Sequence, residues 1–184
     1  MILRSLCLGV LLISGQVAVA QTPPVTFDVS DKTLRTLKVL AWQSLPRRIL
    51  QSDKRVLEID KSDPSKIIIP DEDAREVVRA ASLTARARKC ALQDLVIANR
   101  DALMLREKKS GRWTESQLQY INILHLFTVQ LLAGKMEAMD ADKLQPEGGS
   151  APPPVSPVSA ANCDEKEKQE ISNAVEASGK PGKS

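Results

Sequence analysis

One histidine, five aromatic residues and three cysteines in 184 residues set hard limits on this chain. A single histidine, with no C-x-x-C and no H-x-x-x-H, falls short of the ligand sets that hold zinc or haem. No glycine-rich phosphate loop, G-x-S-x-G elbow or paired-carboxylate motif is present, so the sequence offers no catalytic residues, no metal site and no cofactor. Charge of one sign is also scarce. Lys and Arg number 26 against 23 Asp and Glu, too even a balance for the concentrated basic footprint of a nucleic-acid binder. The rarity of aromatics beside abundant Leu and Ala favours helices over sheet.

Long apolar runs are equally few, and the first has a specific layout. MILRSLCLGVLLISGQVAVA puts one positive charge, Arg4, before a short apolar run that ends in Ala18-Val19-Ala20, and a polar segment with prolines follows. This is the form of a secretory signal peptide over residues 1–20, cleaved after Ala20. Ser14, Gly15 and Gln16 break the run well short of the roughly 20 apolar residues of a membrane span; an uncleaved anchor is the alternative. Cys7 precedes the apolar region, which argues against a lipoprotein. The expected location is the periplasm, with secretion through a eukaryotic pathway as the other route.

The remaining chain divides by composition into a helical domain (21–145), a Pro/Gly/Ser-rich linker (146–162) and a charged C-terminal segment (163–184). Ser30 suits an N-cap, followed by Leu34, Leu37, Ala41 and Leu45 on one face, and Pro46 should end that helix. Between 55 and 70, the runs Val56–Ile59 and Ile67–Ile69 flank Ser62-Asp63-Pro64-Ser65. They read as a short β-hairpin, or as extended chain laid over the helices. A second helix is expected from the acidic start Asp71-Glu72-Asp73 to about Lys109, with Leu83, Cys90, Ile97 and Met104 seven residues apart and alanines beside them. Lys108-Lys109-Ser110-Gly111 should close it, and Thr114 with Gln117 forms a capping box that opens a third helix. The short connection makes these two antiparallel neighbours. The fold class is thus all-α, a small bundle built on two long antiparallel helices with a short first helix and a tethered tail.

His125 lies in INILHLFTVQLLAG, a helix apolar on nearly all sides and therefore buried on several. Its polar atoms, and those of Asn122 beside it, need partners. Arg88, Asn99 and Arg106 project from the apolar half of the second helix, so a buried network of His125, Asn122, Arg88, Asn99 and Arg106 that fixes helix register is the expectation. A Cys90–His125 nucleophilic dyad is weaker, because an exported thiol with an available partner oxidises. Arg75, Arg79, Arg86, Lys89 and Arg100 share the opposite face. They read as a solvated basic surface or as a docking surface for an acidic partner or lipid headgroups.

With Cys7 removed, Cys90 and Cys163 are the expected disulfide, although two free or intermolecularly paired thiols would also satisfy the count. Closing a loop of roughly 70 residues stabilises by about 4 kcal/mol in the chain-entropy account. Without it, Asp164–Ala177 has too little apolar surface to dock. The functional expectation is a non-enzymatic envelope protein, an interaction or scaffold protein or an accessory subunit of a periplasmic assembly, with a protein partner or a homo-oligomer. A small-molecule or lipid-binding bundle with its polar contact near His125, Asn122 and Arg88 is the alternative. Peripheral membrane contact through residues 33–50, which carry Trp42, leucines and basic residues, is a third and weaker reading.

Overall fold

The Ser30 hydroxyl accepts a hydrogen bond from the Thr33 amide at 3.2 Å, and helix α1 follows over Asp31–Ser44. This computed structural model describes residues 29–51, 53–134 and 163–178, so the signal segment, the whole linker and the last six residues lie outside the described residues. Leu34, Leu37, Leu40 and Ala41 form the buried face of α1. Leu45 caps the helix before Pro46, and Lys61 reaches back to donate to the carbonyls of Gln43 and Leu45, where the helix end carries partial negative charge.

A two-stranded antiparallel ribbon follows, but not with the partners the sequence suggests. Strand β1 (Arg48–Leu50) pairs with β2 (Val56–Glu58), placing Ile49 opposite Leu57. The Ser62–Ser65 segment does not turn a hairpin. Asp63 caps a 3-10 turn over Pro64–Lys66 by accepting from the Ser65 amide, and the chain after it points Ile67 and Ile69 into the core. The physical reason is burial. A ribbon would leave half of the Ile67–Ile69 run in water, whereas each isoleucine sunk in the core is worth about 1.5–3 kcal/mol.

The expected second helix is two helices. Helix α2 (Asp71–Lys89) ends at Cys90, and helix α3 (Gln93–Ser110) begins after Leu92. The break is a Schellman turn. The Leu92 amide donates to the Ala87 carbonyl at 2.9 Å and the Ala91 amide to Arg88 at 3.1 Å, with Ala91 in the left-handed region at φ 58°. Helix α3 folds back along α2, ends at Gly111 (φ 65°), and is followed by helix α4 (Glu115–Leu132), whose Thr114–Gln117 capping box is fully formed.

Helix α4 packs most extensively on α2 rather than on its sequence neighbour α3. Val77 lines a cavity with Ile121, Thr84 meets His125, and Ala85 clusters with Val129, so α2 and α4 run the same way, with α3 antiparallel to both. Ala74, Ala81 and Ala85 are buried, the small side chains that let helices approach closely. The main core joins α1, the Ile59–Ile69 segment, α2 and α4 around Leu37, Val77, Tyr120, Ile121 and Leu124. Tyr120 is fully buried and donates its hydroxyl to the Lys38 carbonyl at 3.1 Å, and burial raises its pKa. The last helix, α5 (Glu165–Ser178), lies against α2 and α3. The fold is therefore a helical bundle with a short hairpin, as its composition implies, although three helices of similar length share the framework.

Candidate functional site

Four helices meet at His125. Its ring is 1 % exposed, and Nε2 lies 3.0 Å from the hydroxyl of Thr84 on α2. Asn99 of α3 donates from Nδ2 both to that hydroxyl at 2.8 Å and to the Ala80 carbonyl at 2.7 Å. On its other side, Asn99 Oδ1 lies 3.0 Å from the hydroxyl of Ser178 on α5. The single Thr84 proton settles the tautomer. If Thr84 donates to Ala80 O at 3.2 Å, the imidazole donates from Nε2, and Nδ1, which has no partner, is a bare acceptor. The reverse arrangement would bury an unsatisfied N–H, the costlier orphan. Burial, with Arg100 nearby adding to it, pushes the His125 pKa down to about 4, so the ring is neutral at physiological pH. A base enclosed in this way has no substrate to reach, and the arrangement fixes helix register.

Of the residues expected to join His125, the structure brings Asn99, through Thr84, which sequence reasoning passed over. Asn122 instead accepts from Arg100 Nε at 3.0 Å. Arg106 pairs with Glu107 next to it, with Nε 3.0 Å from Oε1. Arg88 is half-buried near the end of α2, outside the network. Cys90 sits in the turn between α2 and α3, bonded to Cys163, and so forms no dyad with the histidine.

Glu107 carries a second polar cluster, which the sequence reading did not single out. Its carboxylate is nearly buried and accepts from Arg106 and, at 2.8 Å, from the Trp113 indole N–H. Arg112 stacks over the Trp113 ring at 4.7 Å and reaches Asp73 at 2.9 Å. These groups line a cavity of about 140 Å³ with Ile69, Val77 and Ile121. The available signal was a tryptophan two residues before an apolar helix, whose indole N–H had to find an acceptor. Every charge in the cluster is matched within it, and it locks α3 to the start of α2.

The basic residues do not form one free surface. Arg75 holds Asp31 and the Val29 carbonyl at the start of α1, Arg79 pairs with Glu76, and Arg86 lies 3.9 Å from Glu167 of α5. Arg100 is occupied by Asn122, and Lys89 is exposed at the end of α2. Four of the five leucines of residues 33–50 are likewise committed, since Leu34, Leu37, Leu40 and Leu45 are buried in the core, and Lys61 sits 5.0 Å over the Trp42 ring. Among the described residues, no helix is long and apolar enough to cross a membrane.

The apolar surface that remains open lies between α3, α4 and the hairpin. A groove of about 490 Å³ is floored by Met104, Leu105 and Leu118 and rimmed by Asp101, Lys108, Glu115 and the amides of Gln51 and Gln119. Leu105 and, two turns earlier on α3, Ile97 are each 53 % exposed, and Leu126 on α4 is 37 % exposed. Gln51 and Arg55 bind Glu115, which draws the hairpin against the start of α4, and its cross-strand pair Leu50 and Val56 faces solvent. Cys90, Cys163 and Glu167 also lie within 4.8 Å of one another through their ligand atoms, but sulfurs bonded to each other are not thiolate ligands. No protein-family profile, curated protein or solved structure matches the chain.

Proposed function

We propose that this chain is an exported, non-enzymatic interaction protein, a scaffold or accessory subunit of an assembly in the cell envelope. The observation that carries this reading is the open groove between α3, α4 and the hairpin, with Ile97, Leu105 and Leu126 left in water. An apolar groove rimmed by both charges, with further aliphatic side chains left open on the same two helices, has the surface chemistry of a protein contact. Export rests on the first twenty residues and agrees with the Cys90–Cys163 disulfide, which persists in an oxidising compartment. The small-molecule reading has less behind it, because the two cavities described above lie away from His125.

A photo-crosslinking side chain at Leu105, in protein expressed in its own host, tests the proposal. A discrete adduct formed from Leu105 and absent from the same probe at Arg35 on α1 is the expected result. Equal labelling at both positions, or none at either, would count against it. Light scattering of the mature, oxidised protein then tells a second copy from a different partner. Mass spectrometry of the protein from its own host should find Gln21 as the first residue, and retention of Met1 would remove cleavage after Ala20.

A further inference from the structure

Helix α5 stands apart from the rest of the molecule in how it is held. Its apolar contacts form a cluster of their own, in which Ile171 and Val175, one helical turn apart, sink between Ala87 and Cys90 against Leu83, Leu92, Leu95 and Val96. This cluster shares no buried residue with the main core around Tyr120 and Leu124. Beyond the two aliphatic anchors, α5 offers the Ser178 hydroxyl to Asn99 and a 3.9 Å approach of Glu167 to Arg86, both at half-exposed positions. A 14-residue helix is marginal in water without tertiary support, and two anchors with one hydrogen bond are thin support. The remaining tie is covalent, the Cys90–Cys163 bond just before the start of α5, with Cα atoms 5.4 Å apart.

We propose that the Cys90–Cys163 bond is a redox latch: two-electron reduction releases α5 from the α2–α3 hairpin and uncovers the apolar groove beneath it, while the bundle of α1 to α4 stays folded. The reductant is a dithiol, of the class that carries out thiol–disulfide exchange. One of its thiolates attacks the Cys163 sulfur, the more open of the two because Cys90 is 6 % exposed, and Cys90 leaves as a thiolate and takes a proton. The second thiol of the reductant then resolves the mixed disulfide. Cys90 and Cys163 end as thiols, and the reductant ends as a disulfide.

Three features let the helix leave without unfolding its neighbours. The seat has its own cluster, so the main core loses nothing. Asn99 keeps Ala80 and Thr84 when Ser178 departs, so the His125 network stays closed. The turn at Ala91 is held by its own backbone bonds, which do not involve α5. After reduction, only the 28 residues between Gly134 and Cys163 keep α5 near its seat. An intrachain tether acts at an effective concentration of about millimolar at best, far below that of a helix bonded two residues before its start.

Amide hydrogen exchange on the full mature chain, oxidised and then treated with excess dithiothreitol, tests this. The latch requires protection of residues 165–178 to fall by about 100-fold or more on reduction, protection of Tyr120–Val129 to hold, and reoxidation to restore the first. Unchanged protection in α5 would show that it docks without the bond and would overturn the proposal. Loss of protection in α4 to the same degree would also overturn it, because the bond would then be a staple for the whole fold. Ile171→Asp with the disulfide intact provides an independent check. It should free the α5 amides without any reductant and leave α4 as it was, and a collapse of α4 protection in that variant would again refute separability.

Discussion

The main hydrophobic core and the seat of α5 show two ways to hold a helix. The main core encloses Leu34, Leu37, Val77, Tyr120, Ile121 and Leu124 from α1, α2 and α4, and each helix there is fixed by several buried side chains contributed from different partners. The α5 seat encloses Ile171 and Val175 alone from the helix it holds, with a covalent bond at one end. In the first case the sequence supplies enough apolar area to offset the ordering of the chain. In the second it does not, and cross-linking takes the place of area.

The largest expected effect strikes the main core. Leu124→Ala removes a fully buried side chain from the centre of α4 and should cost about 3–4 kcal/mol in a urea unfolding curve, as a loss of global stability. Acid comes next. The folded pKa of His125 is about 4 against a usual value of 6.5, so the unfolded chain binds the proton first as pH falls. The stability tied to the neutral ring is fully present above pH 6.5, is lost progressively between 6.5 and 4, and amounts to roughly 3 kcal/mol. Replacing His125 by Gln should flatten that slope in denaturation curves taken from pH 7 to pH 4.5. Ile171→Ala sharpens the contrast from the other side. It removes about 2 kcal/mol of packing, yet the loss is capped by how weakly α5 docks, so it should appear as faster exchange in 165–178 with the global midpoint nearly unmoved. An unfolding midpoint that drops as far as in Leu124→Ala would erase the distinction between the two regions.

The smallest effect concerns the junction between them. Ala91 holds φ 58° at the position of the Schellman turn that favours glycine. Ala91→Gly should stabilise by about 0.5–1 kcal/mol, the relief of left-handed strain outweighing the added freedom of the unfolded chain. A destabilised variant would mean that the alanine methyl packs in a way that offsets its strain.

Ala91 is also the reason the α2–α3 break was not legible in the sequence. Helix ends that announce themselves were read where they stand: Ser30 before α1, Gly111 after α3, and the Thr114–Gln117 box before α4. The turn at Cys90–Leu92 carries neither Gly nor Pro, and α3 starts after Leu92, which supplies no side-chain cap. The seven-residue spacing of Leu83, Cys90 and Ile97 continues through it as though the helix did. The hairpin was misplaced for a related reason, since Ser62-Asp63-Pro64-Ser65 has turn chemistry that the chain uses for a 3-10 turn, and the choice of strand partner depends on where Ile67 and Ile69 find space. Thr84 was invisible because a threonine inside a helix usually bonds its own backbone four residues back, and this one does so while also accepting from Asn99.

The bond between Cys90 and Cys163 also changes what a cut would do to this molecule. A protease acting anywhere in residues 135–162 would divide the polypeptide without dividing the particle, because both products remain joined through sulfur. Such a nicked protein would migrate as one species without reductant and as two with it. The continuity of the peptide chain and the integrity of the oxidised molecule are, over that stretch, independent properties.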